Sequence, residues 1–229
     1  MLVSRDALAW VQVRSGAAAG VWLRLNPRTG RPYFEGAVEP EVQDALSRHL
    51  RPGMTFYDIG ANIGFFSLLA ARLVEPAGRV VSFEADPEVA ARLREHVARN
   101  DFTVGTVEQK AVWSESRTVL FARADAGSSP DRGLGHVVGA ADGNTIPITA
   151  VSLDEYARAS APPDFLKCDV EGAEVEVFRG AATLLREKHP IILCEMHSEE
   201  NSRVLMEQWS ALGYRCQPCG QHHLLALPR

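Results

Sequence analysis

From Met54 onward one pattern repeats. An apolar run ends in an acid, a turn follows, and the chain then takes up apolar residues at helical spacing. The runs are M-T-F-Y-D (54–58), G-R-V-V-S-F-E (78–84), D-F-L-K-C-D (164–169) and P-I-I-L-C-E-M-H (190–197). T-V-G-T-V-E-Q (103–109) is a weaker strand signal between the second and third. Helical stretches follow at 62–74, at 86–100 with Asp86 as N-cap and Pro87 in the first turn, at 174–189 and at 198–212. Fully apolar strands alternating with helices define an α/β chain, a doubly wound and mostly parallel sheet covered on both faces. Ligands of such sheets lie beyond the carboxyl ends of the strands, so Asp58, Glu84, Asp169 and Glu195 are expected on one rim. Four acids converging there carry an electrostatic cost that a ligand would have to repay.

Two regions depart from the alternation. Residues 1–38 read as an extension of short strands and turns, including V-W-L-R-L and N-P-R-T-G-R-P-Y-F, ahead of a main domain over 39–229. That domain opens with a helix whose stripe is Val42, Ala45, Leu46, His49 and Leu50, started by Pro40 and ended by Pro52-Gly53. Between strand-like R-T-V-L-F-A (117–122) and I-P-I-T-A-V (146–151) lies a long loop, 125–145, rich in Gly, Ser and Asp. Long loops in compact domains commonly bind ligands. Ser128, Ser129, Arg132 and His136, with Tyr33, Phe34 and Glu39 of the lead-in, are the candidates for contact with an acceptor molecule. The chain closes with a hairpin, 214–227, turning at Pro218-Cys219-Gly220.

Bulk properties narrow the function. With a net charge of -5 and scattered basic residues, the 229-residue chain has no field for nucleic acid. No run of about 18 apolar residues suggests a membrane span, and the first residues lack the apolar core of a secretory signal; a cytoplasmic protein is expected. Cys168 and Cys194 sit inside apolar strands as small hydrophobes. Cys216 and Cys219, followed by His222 and His223, read as a hairpin with two thiols; a zinc site usually draws its second ligand pair from further away.

The turn after the first strand selects the cofactor. A dinucleotide fold would show G-x-G-x-x-G, with backbone amides receiving a pyrophosphate. Here the spacing is D-x-G-x-N-x-G, from Asp58 through Gly60 and Asn62 to Gly64. Asp58 would repel phosphate and attract an ammonium group, which S-adenosylmethionine carries beside its sulfonium. Glu84 suits a pair of ribose hydroxyls, a feature shared with nicotinamide enzymes. A nicotinamide oxidoreductase and a non-catalytic nucleoside-binding module are the alternatives.

F-Y-D-I-G-A-N-I-G-F-F-S, V-S-F-E-A-D-P, V-S-L-D-E-Y, F-L-K-C-D-V-E-G-A-E and P-I-I-L-C-E-M-H, with the G-A-V-E-P-E lead-in, resemble the FkbM-type S-adenosylmethionine-dependent methyltransferases over most of residues 36–215. The resemblance implies a class I, Rossmann-like methyltransferase fold, a seven-stranded sheet whose last strand is antiparallel. It also implies methyl transfer, typically to a hydroxyl of a sugar, polyketide or other natural product. By position, Asp58, Gly60, Ala61, Asn62 and Gly64 would hold the methionine portion and Glu84 the ribose. Ala85, Asp86, Gln109, Lys110 and Ala111 would border the adenine, and Asp169 would stand over the cofactor rim. An alcohol acceptor needs a base. His197 is the first choice, with Asp169 second or orienting the acceptor, and Glu195 on the same strand face as His197. Magnesium held by Asp169, Glu171, Glu195 and His197 ranks behind metal-free catalysis, because no compact D-D pair is present. Glu174 reads as a first-turn acid facing the helix dipole, and Lys167 as a counter-charge to its neighbours. The partner expected is a small-molecule acceptor; a homodimer is left open.

Overall fold

The structure, a computed structural model, describes residues 7–26, 28–123, 135–141 and 143–229. Strands β1 (Ala9–Gln12) and β2 (Trp22–Leu25) form an antiparallel hairpin. Helix α1 (Arg31–Glu35) follows where strand and turn were expected: Pro32 suits a first helical turn, and Gly36, at φ 73°, closes it. Helix α2 (Pro40–His49) buries Val42, Ala45 and Leu46 as the stripe requires. Val13, Val21, Leu23 and Leu25 share one apolar cluster with Val42, Leu46, Phe65 and Leu68, so the extension is packed into the core rather than appended to it.

The alternation then runs β3 (Thr55–Ile59), α3 (Phe65–Val74), β4 (Arg79–Phe83), α4 (Pro87–Arg99) and β5 (Gly105–Glu108). Helix α3 starts three residues later than the apolar pattern suggested, because Asn62 (φ 50°) and Gly64 (φ 87°) are still turning. Asp86 caps α4 by accepting from the Glu88 and Val89 amides.

Strands β6 (Ala111–Val112), β7 (Arg117–Ala122), β8 (His136–Val138) and β9 (Thr145–Val151) make a second, four-stranded sheet in the order β6-β9-β7-β8. Strands β7 and β9 were legible; β8 falls where only loop was expected. Ser128, Ser129 and Arg132 lie outside the described residues. Helix α5 (Leu153–Ala159), capped by Ser152, leads back to the main sheet.

There, β10 (Phe165–Cys168) is followed by α6 (Glu174–Arg179) and α7 (Ala182–Lys188). The sequence suggested one helix over 174–189. It breaks at Gly180, where a Cβ would lie 2.2 Å from the Trp113 carbonyl oxygen and where the Gly180 carbonyl accepts from the Asp154 amide. The chain ends with β11 (Ile191–Glu195), α8 (Glu199–Ala211), β12 (Tyr214–Cys219) and β13 (His223–Pro228). The seven-stranded sheet has the order β12-β13-β11-β10-β3-β4-β5, and β13, last in sequence, runs antiparallel to both neighbours. Chain order reverses between β3 and β10, which makes their carboxyl ends the switch point where a ligand is expected. Cys168 and Cys194 are fully buried in that sheet, as the apolar runs implied.

Candidate cofactor and acceptor site

An open cavity of about 800 Å³, mouth included, lies beyond β3, β4 and β10. Of the residues singled out from sequence, Gly60, Asn62, Glu84, Ala85 and Asp86 line it, as do Lys110, Ala111 and Asp169. Asp58, Ala61, Gly64, Gln109, Glu195 and His197 do not: Gln109 is exposed to solvent, and Glu195 and His197 stand beside Asp169 on the adjoining rim. The second sheet supplies the outer wall through Phe121, His136 and Val137.

The glycine turn is shaped by packing. Both Gly60 and Ala61 amides donate to the Phe83 carbonyl. A Cβ on Gly60, at φ 76°, would lie 1.7 Å from the Asp169 carbonyl oxygen, and one on Gly64 would lie 2.0 Å from Leu93 Cδ1. The space freed by the glycines is therefore filled by the protein's own atoms. The next residue that matters is Glu84: its two oxygens accept from the Asn62 amide (2.8 Å) and the Asp86 amide (2.8 Å). Burial, partly offset by those amides, pushes its carboxyl up to about 7. Each oxygen keeps a lone pair for a further donor. Asn62 Oδ1, also at this wall, is buried and has no hydrogen-bond partner among the described residues. Aimed acceptors beside apolar Phe83, Val112 and Phe121 fit a nucleoside with a ribose diol.

Asp58 is placed differently from the sequence expectation. It was read as standing at the mouth of the turn to meet a cationic ligand; it lies behind the turn, with no exposed surface. Strand register sets Lys167 directly beside it, and Lys167 Nζ lies 3.8 Å from Asp58 Oδ1 and 3.3 Å from Asp169 Oδ2. Ser67 Oγ donates to Asp58 Oδ2 at 2.6 Å and receives from Ser82. Burial raises the Asp58 carboxyl despite Lys167 and Ser67. The cation facing Asp58 is thus Lys167, which is itself buried and is held charged by Asp169 and Asp58 against its desolvation. The carboxylate that reaches the cavity is Asp169, where Lys167 and His197 outweigh the effect of burial and keep it below the usual range.

Beyond Asp169 the rim gathers acids around one imidazole. His197 Nδ1 lies 2.6 Å from Glu174 Oε1, while Nε2 faces Glu171 at 3.4 Å, Asp169 at 3.9 Å and Glu195 at 4.0 Å. The hydrogen bond to Glu174, then the surrounding carboxylates, raise His197 to about 9 against the opposing effect of burial. The imidazole chosen from sequence as the base is therefore already protonated at neutral pH. Glu195 is pushed up to about 7 by burial and by Asp169, the range suited to taking a proton near neutrality. Glu174 was read as a helix-dipole acid. It is instead fully buried, and its oxygens accept from the Gly172 amide and Asn201 Nδ2 as well as binding His197.

Sequence reasoning missed two further residues and read a third, His223, only as part of the cysteine hairpin. Arg123 pairs with Asp86 at 2.7 Å, tying the second sheet to the cavity wall. Tyr156 donates to Glu108 and packs edge-on against Tyr57 and Phe83. His223, buried in β13, lies 3.8 Å from Glu195 and 3.4 Å from Glu39. No local signal marks these contacts, because each partner comes from a distant part of the chain. Cys216 and Cys219 carry no disulfide. Among the described residues, no helix is long and apolar enough to cross a membrane.

The strand order and the placement of the cavity define a class I methyltransferase fold. Residues 58–216 match the family model described as the methyltransferase FkbM domain. The chain belongs to the FkbM methyltransferase family, whose members depend on S-adenosylmethionine. It is 30% identical over 202 residues to the 31-O-demethyl-FK506 methyltransferase FkbM of Streptomyces tacrolimicus, covering 76% of this chain and 73% of that one. A shorter match, 33% over 102 residues, joins 42% of this chain to 25% of an arsenite methyltransferase of Halobacterium salinarum. The chain thus spans only a quarter of that relative. Among solved structures, methyltransferase FkbM from Methylobacillus flagellatus shares the fold with a TM-score of 0.58 at 19% identity, covering 79% of this chain and 45% of that chain.

Proposed function

We propose that the protein transfers the methyl group of S-adenosylmethionine to a hydroxyl oxygen of a small-molecule acceptor. The observation that carries the cofactor half is Glu84, aimed by two backbone amides into a cavity at the switch point of the sheet. S-Adenosylmethionine supplies an electrophilic methyl group on a sulfonium. Glu84 accepts the ribose hydroxyls, Asn62 and the turn backbone hold the amino-acid end, and Ala85, Asp86, Lys110 and Ala111 border the base. Asp58 acts through Lys167, fixing the strand ends rather than touching the ligand. The acceptor enters over Asp169 and Glu171, Glu195 takes its proton, and the imidazolium of His197 holds the carboxylates in place. Oxygen as the methylated atom is supported by the Streptomyces relative, whose name gives an O-demethyl substrate.

Methyl-labelled S-adenosylmethionine offered with hydroxylated sugars and polyketides, and with amine or thiol analogues of each, tests the reading. Label should pass to the hydroxylated compounds. Label on the amine or thiol analogues alone would overturn oxygen transfer, and tight NAD binding without response to S-adenosylhomocysteine would overturn the cofactor.

A further inference from the structure

His223 is 4% exposed, and neither of its ring nitrogens has a hydrogen-bond partner among the described residues. Beside it Glu39 Oε2 is a buried atom in the same condition. Burying such groups unsatisfied is costly, and native proteins rarely leave them so. Two of these atoms converge on a third carboxylate, where Nε2 of His223 lies 3.4 Å from Glu39 Oε2 and 3.8 Å from Glu195 Oε2. The donor atoms of Glu39, Glu195 and His223 all fall within 4.8 Å of one another.

The placement follows from the fold. The antiparallel register of β11 and β13 sets Glu195 directly opposite His223. Glu39, immediately before α2, reaches the same face from the lead-in segment. Zinc in tetrahedral coordination, with bonds of about 2.0–2.2 Å, holds its ligand atoms about 3.3–3.6 Å apart. The two separations from His223, 3.4 Å and 3.8 Å, are within a few tenths of an ångström of that, and the two carboxylates lie within 4.8 Å of each other. One imidazole and two carboxylates are the donors that zinc and manganese accept, whereas magnesium prefers oxygen alone.

We infer that Glu39, Glu195 and His223 form a divalent-cation site of the zinc or manganese type. Three protein ligands leave coordination open, and the side chains of Glu39 and Glu195, 33% and 24% exposed, put the open side toward the outside of the rim. The ion would lock the lead-in segment to the sheet through Glu195 Oε2, leaving Oε1, the oxygen that faces His197, for the acceptor's proton. The neighbouring group of Asp169, Glu171 and His197 is a weaker candidate, since His197 is already bonded to Glu174 and none of the three is as deeply buried as His223. Neither Cys216 nor Cys219 joins either group.

The test needs no turnover, so its outcome is independent of the methyl-transfer reading. Metal-stripped protein is titrated calorimetrically with zinc(II) and with manganese(II), and metal content is measured after dialysis. One equivalent of either ion should bind. His223→Gln and the more exposed Glu39→Gln should each weaken binding by more than the roughly 10–100-fold that even an outer partner is worth, while His197→Gln keeps the stoichiometry. The site is overturned if neither ion binds saturably, if both Glu39→Gln and His223→Gln bind like wild type, or if His197→Gln alone abolishes binding.

Discussion

His197 Nδ1 lies 2.6 Å from Glu174 Oε1, an oxygen of a carboxylate with no exposed surface. That contact is the largest reason the imidazole titrates near 9 instead of 6.5. A histidine whose folded pKa exceeds its unfolded value stabilises the fold while charged. The contribution is complete below about pH 6.5 and is lost as pH rises through about 9. Urea unfolding at a series of pH values should show stability falling over that window, by less than the full shift implies because the half-exposed ring is screened by solvent. Glu174→Gln should be less stable at pH 7 and should flatten the profile; an unchanged slope would contradict the pairing.

His96 has the opposite sign. Its Nε2 accepts from the Arg24 amide (2.9 Å), and Nδ1 lies 2.8 Å from the Ile63 carbonyl oxygen, so the ring is neutral with its proton on Nδ1. Burial lowers its pKa to about 4. A histidine with a depressed pKa gives stability that is present above about pH 6.5 and lost as pH falls toward 4. Hydrogen exchange at the Arg24 amide should accelerate, relative to the core strands, as pH falls through that range. His96→Gln should remove most of the pH dependence, because glutamine does not titrate.

Lys167 neutralises Asp58 and Asp169 inside the sheet. Lys167→Met should cost about 3–5 kcal/mol, the penalty for stranding a buried charge. The double change Lys167→Met with Asp58→Leu should recover much of it, since a buried pair replaced by apolar residues is often close to neutral. Chemical denaturation of the two singles and the double checks the coupling. Additive losses would show that the two charges do not act as a pair.

Glu84→Gln should weaken S-adenosylhomocysteine binding by about 1.5–3 kcal/mol, the value of hydrogen bonds to a charged group. Unfolding should change less than binding, because the amide oxygen still accepts one backbone N–H. Calorimetry with the substituted and original proteins gives the comparison. Equal affinities would remove Glu84 from the ribose.

The sheet was legible because four strands end in an acid, and because Pro40, Pro87 and Asp86 mark helix starts by local chemistry alone. What escaped notice depends on distant partners. Asp58 looked free to meet a ligand because nothing near it in sequence announces that Lys167 pairs with it across β10. Glu174 looked like a surface acid until α8 and His197 closed over it. The long 125–145 stretch hid β8, whose three residues are too few for an alternating pattern, and the break at Gly180 is dictated by a carbonyl from Trp113. His223 belonged to a motif read for its cysteines, yet it is the histidine that register brings to Glu195.

Among the described residues the four-stranded sheet pairs only within itself and supplies the outer wall of the cavity through Phe121, His136 and Val137. Apart from the Arg123–Asp86 pair, its side chains stand outside the hydrogen bonds that fix Glu84 and Asp169. The molecule is thus a front panel set on a separate frame, and exchanging the cavity-facing side chains of the panel should reshape the opening while the frame keeps its alignment.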